Sequence, residues 1–190
     1  MYQSYSAQWW IVITLAVIAL IVVGVLAFAA SRKRRSVSLR RRFGPEYDRV
    51  LRQQGNTRKT EGVLEFRQRQ REKYKVRALS AADRASFIVR WKEVQARFVD
   101  DPRGAVTVAD SLVTDVMQAR GYPIGEFAQR AADLSVDYPV IVDNYRRAHE
   151  IALRHGEGQA STEDLRQAMV HYRALFDELL DLEREQRRGA

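Results

Sequence analysis

Between Trp9 and Ala30 the chain runs for twenty-two residues without a charged side chain, and Arg32, Lys33, Arg34 and Arg35 follow almost at once. As a helix rising 1.5 Å per residue, such a run reaches about 33 Å, enough to cross a hydrocarbon core of roughly 30 Å with slight tilt. The apolar run therefore predicts a transmembrane helix over 9–30, because a spanning backbone must satisfy its hydrogen bonds within itself.

Charge sets the expected orientation. Residues 1–8 carry no charged side chain, whereas Arg32, Lys33, Arg34, Arg35, Arg40, Arg41 and Arg42 crowd the other side. The positive-inside rule then puts residues 1–8 outside as a short extracytoplasmic tail and the carboxyl-terminal side in the cytoplasm. Trp9, Trp10 and Phe28, with Tyr2 and Tyr5 just beyond, are the expected interfacial aromatics. Ala27-Phe28-Ala29 has the small-x-small form of a signal-peptidase site. An uncleaved anchor is nonetheless the expectation: positive charge before the run is missing, the run exceeds the usual signal core, and the cations behind it resist translocation.

The remaining 160 residues suffice for one domain with a core. Their charge is uneven: residues 31–75 hold 16 Lys and Arg against 5 Asp and Glu, whereas 76–190 hold 16 against 19. The net +8 thus belongs to the membrane-proximal part, where each cation near an anionic lipid surface is worth about 1 kcal/mol. Topology and headgroup contact explain these cations, and the seven named above are the candidate membrane-surface residues. A nucleic-acid reading, through Arg32 to Arg42 and Arg67 to Lys75, lacks any accompanying zinc-finger, RNP-type or Gly-rich pattern.

Helical spacing dominates after the anchor. Gly44-Pro45 breaks the chain, Pro45 opens a short helix to Gln54, and a highly charged helix follows over 60–74. With apolar residues as sparse as Val63, Leu64, Phe66 and Tyr74, the segment 31–75 is expected to be a basic, mostly solvated stalk. A bundle of four main helices and one short one is expected over 76–190. Ser80 begins its first helix, with Phe87, Trp91, Val94 and Phe98 on one face. Asp100-Asp101-Pro102 ends that helix and starts an antiparallel partner carrying Ala105, Ala109, Leu112 and Val116, which Gly121-Tyr122-Pro123 closes. A short helix over 126–134, one with Pro139 in its first turn and Tyr145 and Ala148 inward, and one from Ser161 carrying Leu165, Met169, Tyr172 and Phe176 complete an all-α fold.

Arg41-Arg42-Phe43-Gly44-Pro45-Glu46-Tyr47, Arg90-Trp91, Phe98-Val99-Asp100-Asp101-Pro102, Arg120-Gly121-Tyr122-Pro123, the stretch 129–137 (QRAADLSVD), and Asp164-Leu165-Arg166 with Tyr172-Arg173 together resemble a bacterial family of uncharacterised proteins with one amino-terminal transmembrane segment. The resemblance covers most of 39–180. It implies a bacterial inner-membrane location and a helical domain, and supplies no catalytic residues.

No catalytic motif stands out. The chain has no cysteine, GxGxxG, Walker loop or nucleophile elbow, and His149-Glu150 lacks the second histidine of a zinc-binding helix. His149, His155 and His171 read as structural, Asp100-Asp101 as caps, and Trp91 as core. The expectation is a membrane-tethered interaction or scaffold module that is not an enzyme and takes no cofactor or metal, whose partners are anionic lipid and a protein. The alternative, an enzyme with a dispersed site, requires Asp110, His149, His171 and Arg173 to converge in a cleft.

Overall fold

The computed structural model describes residues 3–180, except the side chains of residues 3–8, 10–12 and 32. Tyr2, the side chains of Tyr5, Trp10 and Arg32, and the charged tail from 181 therefore lie outside the described residues. Eight helices and no strand occur among those described. They divide into two compact units, Met1–Arg42 and Phe43–Ala190.

In the first unit, α1 (Gln3–Phe43) contains the apolar run, and it is long and apolar enough to cross a membrane. Every large aliphatic or aromatic side chain from Ile13 to Phe28 is at least half exposed. A helix apolar on all sides has no partner stripe in a water-soluble core, which is the composition a bilayer solvates. The helix does not end with the apolar run at Ala30. It continues to Phe43, since residues 31–43 contain no Gly or Pro and are rich in Arg, a good helix former. Gly44 then takes φ 46°, a left-handed value that glycine adopts without a Cβ clash, and Pro45 occupies the first turn of α2.

The second unit holds α2 (Pro45–Gln54), α3 (Thr57–Arg71), α4 (Ala81–Asp100), α5 (Pro102–Ala119), α6 (Phe127–Asp137), α7 (Val142–Gly156) and α8 (Thr162–Leu180). Its starts are written in side chains. Asn56 accepts from the amides of Arg58 and Lys59, Ser80 from Asp83, and Asp101 from Gly104. Ser161 and Asp164 form a reciprocal box: the Asp164 amide donates to Ser161 Oγ at 3.1 Å and the Ser161 amide to Asp164 Oδ2 at 2.9 Å. Asp101, as the capping reading of Asp100-Asp101 expects, is held below its ordinary pKa by the Gly104 amide and then by Arg97. Pro139 lies in the turn before α7 rather than in its first turn.

α5 is central, packing against α4, α7 and α8, and its Ala105, Ala109, Leu112, Val113 and Val116 are inaccessible to solvent. Small residues along the stripe let neighbouring helices approach, and the aromatic side chains of α7 and α8, Tyr145, Tyr172 and Phe176, fill the space around them. Trp91 of α4, only 4% exposed, stacks on Phe176 of α8 with ring centroids 4.7 Å apart. Gly121, at φ 91°, permits a close approach: a Cβ there would come within 2.6 Å of the Lys75 carbonyl. The extended segment before α4 uses this space, and the Arg77 amide donates to the Arg120 carbonyl at 2.8 Å.

The solvated stalk expected over 31–75 does not describe 43–75, which belongs to the second compact unit. Leu64 and Thr60 are fully buried, and α3 packs against α6. Phe43, Tyr47, Val50 and, on α6, Val136 are buried as well, and a polar network accompanies them. Glu46, 2% exposed, takes both terminal nitrogens of Arg146 at 2.8 Å and Nη1 of Arg67 at 2.7 Å. Arg67 Nη1 also donates to Ser135 Oγ at 3.1 Å. At the far end of α3, Asp137 Oδ2 accepts from Arg71 Nε at 2.7 Å and from the Tyr122 hydroxyl at 2.6 Å. These bonds, with the buried Tyr47, Val50 and Leu64, join α2, α3, α6 and α7 across the boundary expected at 75/76.

Candidate functional site

The predicted membrane-surface residues all fall on α1 after its apolar run. Lys33, Arg34, Arg35, Arg40, Arg41 and Arg42 are exposed, and the side chain of Arg32 lies outside those described. Successive helical residues turn by about 100°, so Lys33, Arg34 and Arg35 form a collar facing different sides of the axis rather than one stripe.

A second exposed feature lies between α4 and α8. The Trp91–Phe176 stack forms its floor, with a cavity of about 540 Å³ on one side and one of about 210 Å³ on the other. Ile88, Leu180, Phe98, Met169 and Val170 supply further apolar lining, and Ile88 and Val170 are exposed. Arg84, Lys92, Arg166 and Arg173 line the same cavities, against a single carboxylate, Asp177. Arg166 pairs with Glu163 and Arg173 with Asp177, whereas Arg84 and Lys92 make no ion pair with a described residue. The indole N–H of Trp91 is buried and meets no acceptor. Trp91 is thus a core residue, as its spacing predicts, and also the base of a groove, which spacing within one helix does not reveal.

The residues of the dispersed polar set have separate partners. The Tyr172 hydroxyl donates to Asp110 Oδ1 at 3.0 Å. His149 stacks on Phe127 with centroids 3.6 Å apart, and burial lowers its pKa from the ordinary histidine value. His171 Nδ1 lies 3.1 Å from Asn144 Oδ1, and Arg173 faces Asp177. Burial first, then Arg147, lowers the pKa of His171. Asp110 and His149 interact electrostatically, while the shifts of His171 trace to Arg147 and Asp143. Among the described residues no group of three or more His, Asp and Glu is placed to hold a metal ion.

Tyr122, named above only in the helix stop, is 3% exposed and bound to Asp137. The feature sequence reasoning misses altogether is the convergence of Arg49, Arg67 and Arg146 on Glu46. The class this fold defines is an all-helical protein with one helix long and apolar enough to cross a membrane. No protein-family model matches the chain, and neither the curated proteins nor the solved structures give a significant match.

Proposed function

We propose that the chain is a membrane-tethered interaction module of the bacterial inner membrane. In this reading α1 is the single anchor, with the amino terminus outside and the helical unit in the cytoplasm, and the collar from Arg32 to Arg42 holds anionic headgroups. The bundle is formed by α4, α5, α7 and α8 as main helices with the shorter α6, and it engages a protein. The resemblance to single-span bacterial proteins supports the same location.

The observation that carries the binding role is the α4/α8 groove. Its floor offers aromatic and aliphatic surface, and its rim offers Arg84 and Lys92, which have no ionic partner among the described residues. Charge complementarity selects an amphipathic helix with acidic flanks, whose apolar face fills the groove while its carboxylates meet the rim.

A photo-crosslinking amino acid at Ile88, with a second version at exposed Lys59 on α3 as control, tests this in intact cells. The expected result is one discrete protein adduct from position 88 and not 59, lost in the Arg84→Glu, Lys92→Glu variant, with a carboxyl-terminal reporter active in the cytoplasm. Equal adducts from both positions, an adduct indifferent to the charge reversal, or a reporter outside the cytoplasm would refute it.

A further inference from the structure

Glu46 is surrounded by more cationic charge than it neutralises. Its Oε1 accepts from Arg67 and Arg146 and lies 3.7 Å from Arg49 Nη1, beyond hydrogen-bond distance, while its Oε2 accepts from Arg146. Three guanidiniums thus converge on one buried carboxylate. Arg49 is the outermost, with 31% of its side chain exposed against 16% for Arg67 and 9% for Arg146. Burial and the neighbouring Arg146 push its pKa below the ordinary arginine value, with Arg67 adding to the effect.

All three arginines line one cavity of about 280 Å³ between α2, α3, α6 and α7. Its other wall is short and apolar: Phe127, Ala128, Ala131 and Ala132 of α6. Gln53 adds an uncharged polar group, and Glu150, the one further carboxylate in the lining, is exposed to water. Asp143, which also acts on Arg49, is held by Arg147 at 2.8 Å. Arg146 and Arg67 each hydrogen-bond Glu46, whereas Arg49 lines the cavity without a hydrogen bond to it, so its guanidinium is surplus to the latch.

We propose that this cavity binds a phosphate monoester, with the phosphoryl oxygens held by Arg49 and Arg67 beside Arg146 and a short organic body against the α6 alanines. Three guanidiniums against Glu46 and the water-exposed Glu150 leave one positive charge, and their several N–H donors suit the three acceptor oxygens of a phosphate monoester better than the two of a monocarboxylate. Guanidinium donors suit phosphate geometry through paired N–H···O bonds. The volume falls just below the roughly 300–1,000 Å³ of drug-sized sites, so the ligand is small or enters by its head alone. A soluble sugar or glycerol phosphate and the headgroup of phosphatidic acid share this chemistry.

The test uses the full chain, in detergent micelles titrated with glycerol 3-phosphate followed by ³¹P NMR, and in nanodiscs with or without phosphatidic acid. Saturable binding in micelles identifies a soluble ligand, and binding confined to phosphatidic acid nanodiscs identifies the headgroup; either supports the site. Arg49→Gln removes a cation without touching the Glu46–Arg146 pair, and Ala128→Leu fills the cavity from an exposed position. Each should weaken binding about tenfold, the scale of one charge-assisted hydrogen bond, while Lys59→Gln, an exposed cation on α3 outside both the cavity and the α1 collar, should leave it unchanged. Equal weakening by Lys59→Gln and Arg49→Gln would reduce the effect to diffuse attraction and overturn the proposal. So would acetate competing as well as glycerol 3-phosphate, or the absence of saturation in both settings.

Discussion

Replacing Glu46 by Gln tests whether a polar latch holds α2 and α3 to the bundle. The carboxylate receives three short charge-assisted bonds, at 2.7, 2.8 and 2.8 Å, from two guanidiniums of which neither side chain is more than 16% exposed. A glutamine keeps the shape but loses the charge, and its NH₂ points a donor at donors. Each hydrogen bond to a charged group is worth about 1.5–3 kcal/mol, and stripping one partner from a buried ion pair costs about 3–5 kcal/mol. Arg67 retains some access to water, which lowers the expected cost to roughly 3 kcal/mol. For a unit of about 150 residues that corresponds to a fall in Tm of roughly 6–12 °C. Circular dichroism of the full chain in micelles measures it. A control replaces Glu46, Arg67 and Arg146 together by Met, which removes the mutually dependent charges as a set and should recover much of the loss. A Tm within about 2 °C of wild type for Glu46→Gln would mean less than roughly 1 kcal/mol at this site, and α2 would not be latched by it.

Two further outcomes follow from buried groups. Trp91→Ala removes a ring stacked at 4.7 Å on Phe176 and should destabilise the unit by about 3–5 kcal/mol, whereas Trp91→Phe keeps the stack, deletes an N–H without an acceptor and should cost much less; an unaltered Trp91→Ala melt would refute the burial. Asp133 is 1% exposed, its Oδ1 accepts from Gln129, and burial raises its pKa above the ordinary 3.8. A carboxyl whose folded pKa is raised binds its proton more tightly when folded, so the native state loses stability as pH climbs from 3.8 through the raised value. Asp133→Asn should therefore raise Tm at pH 7 and lose that advantage below 3.8, and a lower Tm at pH 7 would contradict the reasoning.

Apolar periodicity made the second unit legible in the sequence. Phe87, Trp91 and Val94 on α4 and Leu165, Met169, Tyr172 and Phe176 on α8 repeat at helical spacing and are buried. Punctuation was equally readable: Gly44-Pro45, Ser80, Asp101 and Ser161 each mark an observed start. Two things were not. The end of α1 was set too early because a drop in hydropathy is not a helix stop, and only Gly44 supplies one. The attachment of α3 was missed because it depends on Glu46, Ser135 and Asp137 meeting Arg67, Arg71 and Arg146 across as many as 100 residues of sequence, and charged residues on a charged helix have no periodicity that points to a partner. The α4/α8 groove was hidden for a related reason: each helix shows its own stripe, but the gap between two stripes is a tertiary property.

The two kinds of contact also differ in how they respond to the surroundings. Helices α5 and α8 meet through Leu, Val and aromatic side chains, whose burial gains grow with area and are insensitive to ionic strength. The α2–α3 pair adds to its buried Tyr47, Val50 and Leu64 the ion pairs of Glu46 and Asp137, so its attachment carries an electrostatic dependence that apolar packing lacks, damped by burial at Glu46 and less so at Asp137, whose side chain is 21% exposed. Elements with few buried apolar contacts open at lower free energy than core helices. Native-state hydrogen exchange should accordingly rank α2 and α3 as the first part of the second unit to open, ahead of α5. A phosphate monoester that engages Arg49 and Arg67 will slow that opening in particular, because binding stabilises only the state in which the three guanidiniums are assembled.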